Sequence, residues 1–122
     1  MTEHAEQVDL FQKAERWEGE YPELALLFAI PMGGKRPISV AKRMKAEGAK
    51  KGMLDLVLPV ARQGYHGLYL ELKVKGGRLS KEQKWWIEKL REQGYRVEVC
   101  YSCDAAWDVV IDYLTGGDEC TS

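Results

Sequence analysis

Two stretches decide the fold of this chain, Met53-Leu54-Asp55-Leu56-Val57-Leu58 and Gly67-Leu68-Tyr69-Leu70-Glu71-Leu72-Lys73-Val74. Each is an apolar run of strand length that is interrupted by ionised side chains. Because strand side chains alternate between faces, Glu71 and Lys73 are expected on the face opposite to Leu70 and Leu72. If the two strands pair, Asp55 comes to lie beside Glu71.

Two neighbouring carboxylates repel each other unless a cation lies between them. Mg²⁺ suits such a position, because it takes oxygen ligands and needs only one or two carboxylates with waters and substrate phosphate. Lys73 is placed to hold an anionic substrate or a water. The alternative is an Asp55 that points to water or pairs with a lysine, beside a Glu71–Lys73 ion pair that contributes about 1 kcal/mol or less.

The composition is that of one globular domain. The chain has 122 residues, ordinary apolar and charged fractions and a net charge of −1. Residues 1–9 are polar and acidic rather than a signal peptide, and the longest apolar stretch, residues 24–32, is too short to span a bilayer. Three cysteines do not indicate a disulfide framework, so we expect a cytoplasmic protein without a membrane partner.

Basic residues are concentrated in one segment, residues 35–51, which contains a single acid, Glu47. This excess predicts a surface that faces nucleic-acid phosphates, although a solvated helix face with basic flanks has the same pattern. Lys75, near the Gly76-Gly77 loop, is a further candidate phosphate contact or a solvated lysine. The predicted nucleic-acid-binding residues are Lys35, Arg36, Lys42, Arg43, Lys45 and Lys75.

Periodicity and turn residues predict a single layered α/β domain over residues 1–115, followed by a flexible tail at 116–122. Ser39 and Asp104 are the expected N-caps of the second and fourth helices, and Gly48 and Gly94 the expected ends of the second and third. The predicted helices cover residues 3–17, 39–47, 80–93 and 105–114. The predicted strands cover residues 24–30, 54–61, 68–74 and 95–101.

The order and spacing of several short motifs together resemble the VRR-NUC branch of the PD-(D/E)XK nucleases. The resemblance runs through most of the chain, although Met32 stands where that family commonly has asparagine. The Asp…Glu-x-Lys core alone would be a weak pattern. The motifs are Phe28-Ala29-Ile30-Pro31, Gly33-Gly34-Lys35-Arg36, Gly48, Gly52, Asp55, Glu71-Leu72-Lys73, Leu79-Ser80, Gln83, Trp86 and Gly94-Tyr95-Arg96-Val97.

This resemblance implies a restriction-endonuclease-like core, in which helices flank a central mixed four-stranded sheet. It implies that Asp55, Glu71 and the main-chain carbonyl of Leu72 bind Mg²⁺ or Mn²⁺. It also implies that Lys73 positions or helps to deprotonate the attacking water and offsets charge in the transition state. Gln83 would belong to the same catalytic site.

Two of these assignments have alternatives in the sequence itself. Gln83 lies three residues after Ser80, so it also fits a capping box in which its side chain only closes the start of a helix. Glu3 is the candidate carboxylate from the first helix, with Glu6 as its rival one turn on. A solvated acid that favours the helix dipole explains Glu3 nearly as well.

The predicted function is a divalent-metal-dependent endonuclease that hydrolyses DNA phosphodiester bonds. By the same resemblance, it would select branched DNA such as four-way junctions and act as a homodimer. The alternative is a non-catalytic module that keeps the nuclease fold and binds DNA or a protein partner.

Overall fold

The computed structural model describes residues 2–31 and 37–119. In these ranges, four α-helices and one 3₁₀-helix surround one four-stranded sheet, as the fold class predicts. The helices are α1 Glu3–Trp17, α2 Ile38–Ala46, α3 Lys81–Glu92 and α4 Cys103–Glu119, with the 3₁₀ turn at Pro22–Leu26. The strands are β1 Phe28–Ala29, β2 Leu56–Leu58, β3 Leu68–Leu72 and β4 Arg96–Cys100.

The sheet is mixed, with the strands in the order β1-β2-β3-β4. β1, β2 and β3 are antiparallel neighbours, and β4 runs parallel to β3. A short loop suffices between the antiparallel strands β2 and β3, whereas the parallel pair needs a crossover, which α3 supplies.

The alternation of side chains in β3 divides the interior into two layers. Leu68, Leu70 and Leu72 pack with residues of α1 and α4 on one face of the sheet. Tyr69 lies on the other face, where it packs against a smaller cluster that includes Ile87 and Leu90 of α3. The second layer is therefore the one that shares its face with Glu71.

The first strand is much shorter than the sequence predicts. Residues 24–30 were expected to form a buried strand, but Pro22 begins a 3₁₀-helix and only Phe28 and Ala29 pair with β2. Pro22 suits a helix start because its fixed φ and missing N–H cost nothing there. Leu24 and Leu27 are buried without strand pairing, so the apolar run reflects burial rather than extended structure.

Several predicted ends and caps also differ. Helix α2 begins at Ile38 after Pro37, so Ser39 is not its N-cap. The Ser102 hydroxyl, rather than Asp104, accepts the hydrogen bond from the Ala105 amide at the start of α4. Helix α4 extends to Glu119, beyond the predicted end at residue 114, and strand pairing in β2 and β3 stops short of the predicted 61 and 74.

The predicted glycine helix ends are confirmed. Gly48 and Gly94 follow α2 and α3 with φ of 102° and 92°, a conformation that glycine adopts without strain. No helix within residues 2–31 and 37–119 has both the length and the apolarity that a membrane crossing requires.

Candidate active site

The strand register places Asp55 beside Glu71. Leu56 of β2 pairs with Leu70 of β3, so the residue before Leu56 falls opposite the residue after Leu70, on the face away from the larger core. The Leu72 amide donates to Asp55 Oδ2 at 2.9 Å, and the Ile30 amide donates to the Asp55 carbonyl at 2.7 Å. Asp55 is thus held between β3 and the chain that follows β1.

Glu71 is the one charged residue that is buried within the described residues, with 2% of its surface exposed. Its Oε2 accepts a hydrogen bond from Gln83 Nε2 at 2.8 Å and lies 3.6 Å from Lys73 Nζ. Its Oε1 is buried and makes no hydrogen bond of acceptable distance and angle, although the Asp55 amide lies near enough to this carboxyl to lower its pKa. A buried charged oxygen without a partner costs free energy, which points to a missing ligand on this side of the carboxylate.

Burial raises the pKa of both carboxyl groups. Desolvation is the largest cause for Glu71, the Asp55 charge adds to it, and the pKa of Glu71 rises to about 7. The pKa of Asp55 is also raised, first by desolvation, against the lowering effect of the Leu72 amide. The two acids therefore share a site in which negative charge is not fully compensated.

Gln83 makes the contacts that both of its sequence interpretations require. Its Oε1 accepts from the Ser80 amide at 2.8 Å while its own amide donates to Ser80 Oγ at 3.0 Å, which completes a capping box. Its Nε2 donates to Glu71 Oε2. The cap fixes the carboxamide so that its N–H group points at Glu71, and this links the first turn of α3 to β3.

Two contacts position Lys73 beside Glu71, one from its backbone to β4 and one from its side chain to the Gly76-Gly77 turn. Its amide donates to the Cys100 carbonyl at 2.9 Å, and its side chain is 14% exposed. Gly77 folds back against the lysine stem, since a Cβ there would lie 3.4 Å from Lys73 Cβ and Cδ. These contacts direct the ammonium group toward Glu71 rather than toward solvent.

The two candidate acids of α1, Glu3 and Glu6, have different neighbours. The Glu3 charge lies near enough to Asp55 to contribute to its raised pKa. Glu6 instead accepts a hydrogen bond from the Cys103 amide through its Oε2, so it secures the start of α4. The geometry thus brings Glu3, and not Glu6, toward the Asp55–Glu71 pair.

Three protein carboxylates do not converge here. Within the described ranges, no group of three or more His, Cys, Asp or Glu side chains is arranged to hold an ion. The Asp55–Glu71 pair is the remaining donor set, together with the backbone of Leu72. The Leu72 N–H points at Asp55, and because a strand residue directs its N–H and C=O groups to the same side, the Leu72 carbonyl lies on the Asp55 side of β3.

The predicted nucleic-acid-binding residues are less closely grouped. Lys42, Arg43 and Lys45 are exposed on α2, a helix with no buried residue, and Lys75 is exposed beyond β3. Lys35 and Arg36 lie outside the described residues, as does Met32.

Gly52 is a residue of this site that sequence reasoning did not assign a role. A Cβ at Gly52 would lie 2.4 Å from Glu82 Cβ and 2.9 Å from the Gln83 nitrogen, so the loop touches the first turn of α3. Its φ of 85° also favours glycine. Gly52 therefore lets the segment before β2 pack directly against the turn that positions Gln83. The sequence marked Gly52 only as one of the motifs of the family resemblance and gave it no contact.

Comparison with known proteins identifies the family and agrees with the fold. The VRR-NUC domain model matches residues 2–104. A solved structure named "VRR_NUC domain protein" superposes with a TM-score of 0.83 at 28% identity, over 96% of this chain and 91% of that chain. The search of curated proteins returned no match.

Proposed function

This chain belongs to the VRR-NUC domain family, whose members are nuclease-type domains, and we propose that it is a divalent-metal-dependent endonuclease acting on DNA. The observation that carries the proposal is the pair of carboxylates at the β2–β3 junction. One oxygen of that pair, Glu71 Oε1, is buried and has no hydrogen-bond partner. An ionised carboxylate kept at this point without a partner would destabilise the fold, and a bound cation would remove that cost.

The donor set fits Mg²⁺ or Mn²⁺. Asp55 and Glu71 would supply carboxylate oxygens and Leu72 a main-chain carbonyl from the same side of β3, so all three donors would be oxygens. Mg²⁺ commonly takes one or two protein carboxylates and completes its shell with water and substrate phosphate. Asp55 and Glu71 would provide the two protein carboxylates of such a shell.

A bound ion would lower the pKa of a coordinated water and neutralise charge on the scissile phosphate. Lys73 would orient the attacking water or take its proton, and its ammonium group would offset the charge that develops on phosphate oxygens. Gln83 holds Glu71 in one orientation through its Nε2 group. Glu3 adds a negative charge near Asp55.

The direct test is a cleavage assay on labelled linear and branched DNA with Mg²⁺ or Mn²⁺, and again with EDTA. We expect cleavage that depends on the added ion. Metal-independent cleavage would contradict the proposed chemistry. DNA binding without cleavage under every condition would favour the alternative, a non-catalytic module that keeps the nuclease fold.

Helix α2 supports DNA as the substrate. Its basic residues project from an element with no buried residue, and even Ile38 is 76% exposed, so the helix is available to a large partner. Phosphate contacts from such a helix would position the duplex without reading its sequence.

Reversing the charges of Lys42, Arg43 and Lys45 to glutamate is expected to weaken DNA binding. Each lost phosphate contact should lower the slope of log K against log salt by about 0.9, so the three together should lower it by roughly 2–3. Binding titrations across a salt series measure this. The control reverses Arg16 and Lys89, exposed residues on α1 and α3. An unchanged slope in the α2 variant would mean that this helix faces away from DNA.

We further propose that the protein acts as a homodimer on branched DNA such as a four-way junction. Two active sites related by a twofold axis would suit two strands. The support is an apolar surface at the β1 edge, where Leu26 and Phe28 are about half exposed.

Substituting Phe28→Glu is expected to convert a dimer into a monomer, because an isologous contact would place the new charges of both copies in an apolar interface. Sedimentation velocity measures the change. Tyr101→Glu is the matched control, since Tyr101 is equally exposed beyond β4 at the other edge of the sheet. A wild-type protein that sediments as a monomer at all concentrations would contradict the dimer.

A further inference from the structure

A groove beside the first turn of α3 is not used by the chemistry described above. It has a volume of about 450 Å³, within the range of small-molecule sites. Most of its surface is apolar, and it is formed by two tryptophans together with the side chains of three lysines and one glutamate. Its lining residues are Lys50, Lys51, Lys81, Glu82, Trp85 and Trp86.

Trp85 forms a fixed platform at this groove. Its side chain is 52% exposed, and its ring meets the Trp86 ring edge to face, with centroids 5.2 Å apart and an interplanar angle of 89°. Trp86 is held in turn, because its Nε1 donates to the Lys51 carbonyl at 3.1 Å and its ring packs on the Ile87 and Leu90 cluster. The indole of Trp85 therefore contacts a ring that is itself held in place, and about half of it remains open to a ligand.

The groove adjoins the candidate active site through one turn of helix. Gly52 joins the Lys50–Lys51 segment to the backbone of Glu82 and Gln83 by direct contact. Gln83 in turn bonds Glu71 at 2.8 Å. A ligand in the groove would thus lie next to the element that orients the buried carboxylate.

The charge of the groove selects its ligand. Three lysines against Glu82 leave an excess of positive charge around an aromatic face, which complements a phosphate backbone with a base to stack. A second copy of this chain is a poor occupant, because an isologous contact would gather the lysines of both copies.

We propose that this groove binds an unstacked base of the DNA strand, with the base on Trp85 and its flanking phosphates on Lys50, Lys51 and Lys81. Aromatic side chains beside a basic groove are a general means of holding single strands. Bases that have lost a stacking neighbour occur at branch points and in single-stranded segments, so the groove would favour those substrates over continuous duplex. The choice of DNA as the ligand rests on the proposed function. The part of that substrate which the groove would hold is the unstacked base.

The test measures binding in EDTA, where no cleavage is expected, by titrating a short labelled oligothymidine and a duplex of the same length. Trp85→Ala is expected to weaken oligothymidine binding by about 5- to 100-fold, as the loss of one stacked base predicts. Trp85→Phe, which keeps an aromatic face, should retain most of the affinity, and duplex binding should change less. Trp17→Ala is the matched control, an exposed tryptophan of α1 on the opposite side of the sheet.

Unchanged oligothymidine affinity in Trp85→Ala would overturn the proposal, as would a loss of self-association without a loss of DNA affinity. Should Trp85→Ala fail to fold, the pair Trp85→Phe and Lys81→Gln replaces it. Retained affinity in the first with weaker binding and a smaller salt slope in the second supports the groove, and a salt slope equal to that of the wild type overturns it.

The same variants separate this inference from the proposed function. If the wild type binds oligothymidine through Trp85 but cleaves no DNA with Mn²⁺, the groove stands and the nuclease assignment fails. If cleavage is metal-dependent while Trp85→Ala binds and cleaves as the wild type does, the nuclease stands and the groove fails.

Discussion

Replacement of Lys73 by alanine is expected to abolish DNA cleavage while the protein still folds and still binds DNA. The loss should be roughly 10²- to 10⁴-fold, the range for removal of a group that moves a proton in the transition state. The structural reason is that the Lys73 ammonium group is mostly buried and lies 3.6 Å from Glu71 Oε2. Within the described residues, no other lysine is ion-paired to that carboxylate.

Folding should survive because the backbone contact of Lys73 does not depend on its side chain. The hydrogen bond from the backbone amide of residue 73 to the Cys100 carbonyl remains in the alanine variant, and so does the pairing of β3 with β4. Cleavage is measured in single turnover, with thermal unfolding and oligonucleotide binding in parallel. Lys89→Ala is the matched control, since Lys89 is an exposed lysine of α3 paired only with Glu92 in the described residues. Turnover near the wild-type rate in Lys73→Ala would remove Lys73 from the mechanism.

The sequence predicted the parts of the fold that follow from side-chain alternation. Leu68, Leu70 and Leu72 on one face with Glu71 on the other required only the two-residue repeat of a strand. The same repeat, with antiparallel pairing, was enough to place Asp55 beside Glu71. Family resemblance then supplied what the repeat could not, namely a mixed sheet and a role for Gln83.

The missed features depend on contacts between segments that are distant in the chain. An apolar run such as residues 24–30 does not distinguish burial in a 3₁₀ turn from burial in a strand, because both hide the same leucines. The contact of Gly52 with Glu82 and Gln83 joins residues about thirty positions apart, and no local pattern encodes it. The groove at Trp85 was missed for the same reason, since Lys50 and Lys81 become neighbours only in the folded chain.

Glu71→Gln is expected to stabilise the metal-free protein at about pH 8 and to abolish metal binding. The variant would thus gain folding stability and lose activity. The wild type buries a carboxylate whose pKa is raised to about 7 from an ordinary value near 4.5. Above that pKa, folding requires an ionised group to remain away from water. Glutamine keeps the shape, still accepts from Gln83, and offers an amide to Asp55, so the expected gain is about 1–3 kcal/mol.

The pH dependence follows from the direction of the shift. Between pH 4.5 and about 7 the folded state holds a proton on Glu71 that the unfolded chain has released, so wild-type stability falls as pH rises through this window. Below the window Glu71 is neutral in both states, and above it the loss is complete. The advantage of Glu71→Gln should therefore be near zero at about pH 4.5 and full at about pH 8. Loss of the Lys73 ion pair reduces this gain toward the lower end of that range.

Thermal unfolding at the two pH values, with and without Mn²⁺, separates this explanation from a general effect of removing charge. An ion that binds only the folded state, at a hundredfold excess over its dissociation constant, stabilises by about 3 kcal/mol, and this gain should appear in the wild type alone. Glu88→Gln, an exposed acid on α3, should match the wild type in every condition. A metal-free Glu71→Gln variant less stable than the wild type at the higher pH would show that the carboxylate is satisfied as it stands. Its unpartnered oxygen would then no longer indicate a ligand. A Glu71→Gln variant that is more stable than the wild type without metal, and inactive when metal is added, would instead show that Glu71 is kept for a bound cation. The cost is a less stable metal-free fold.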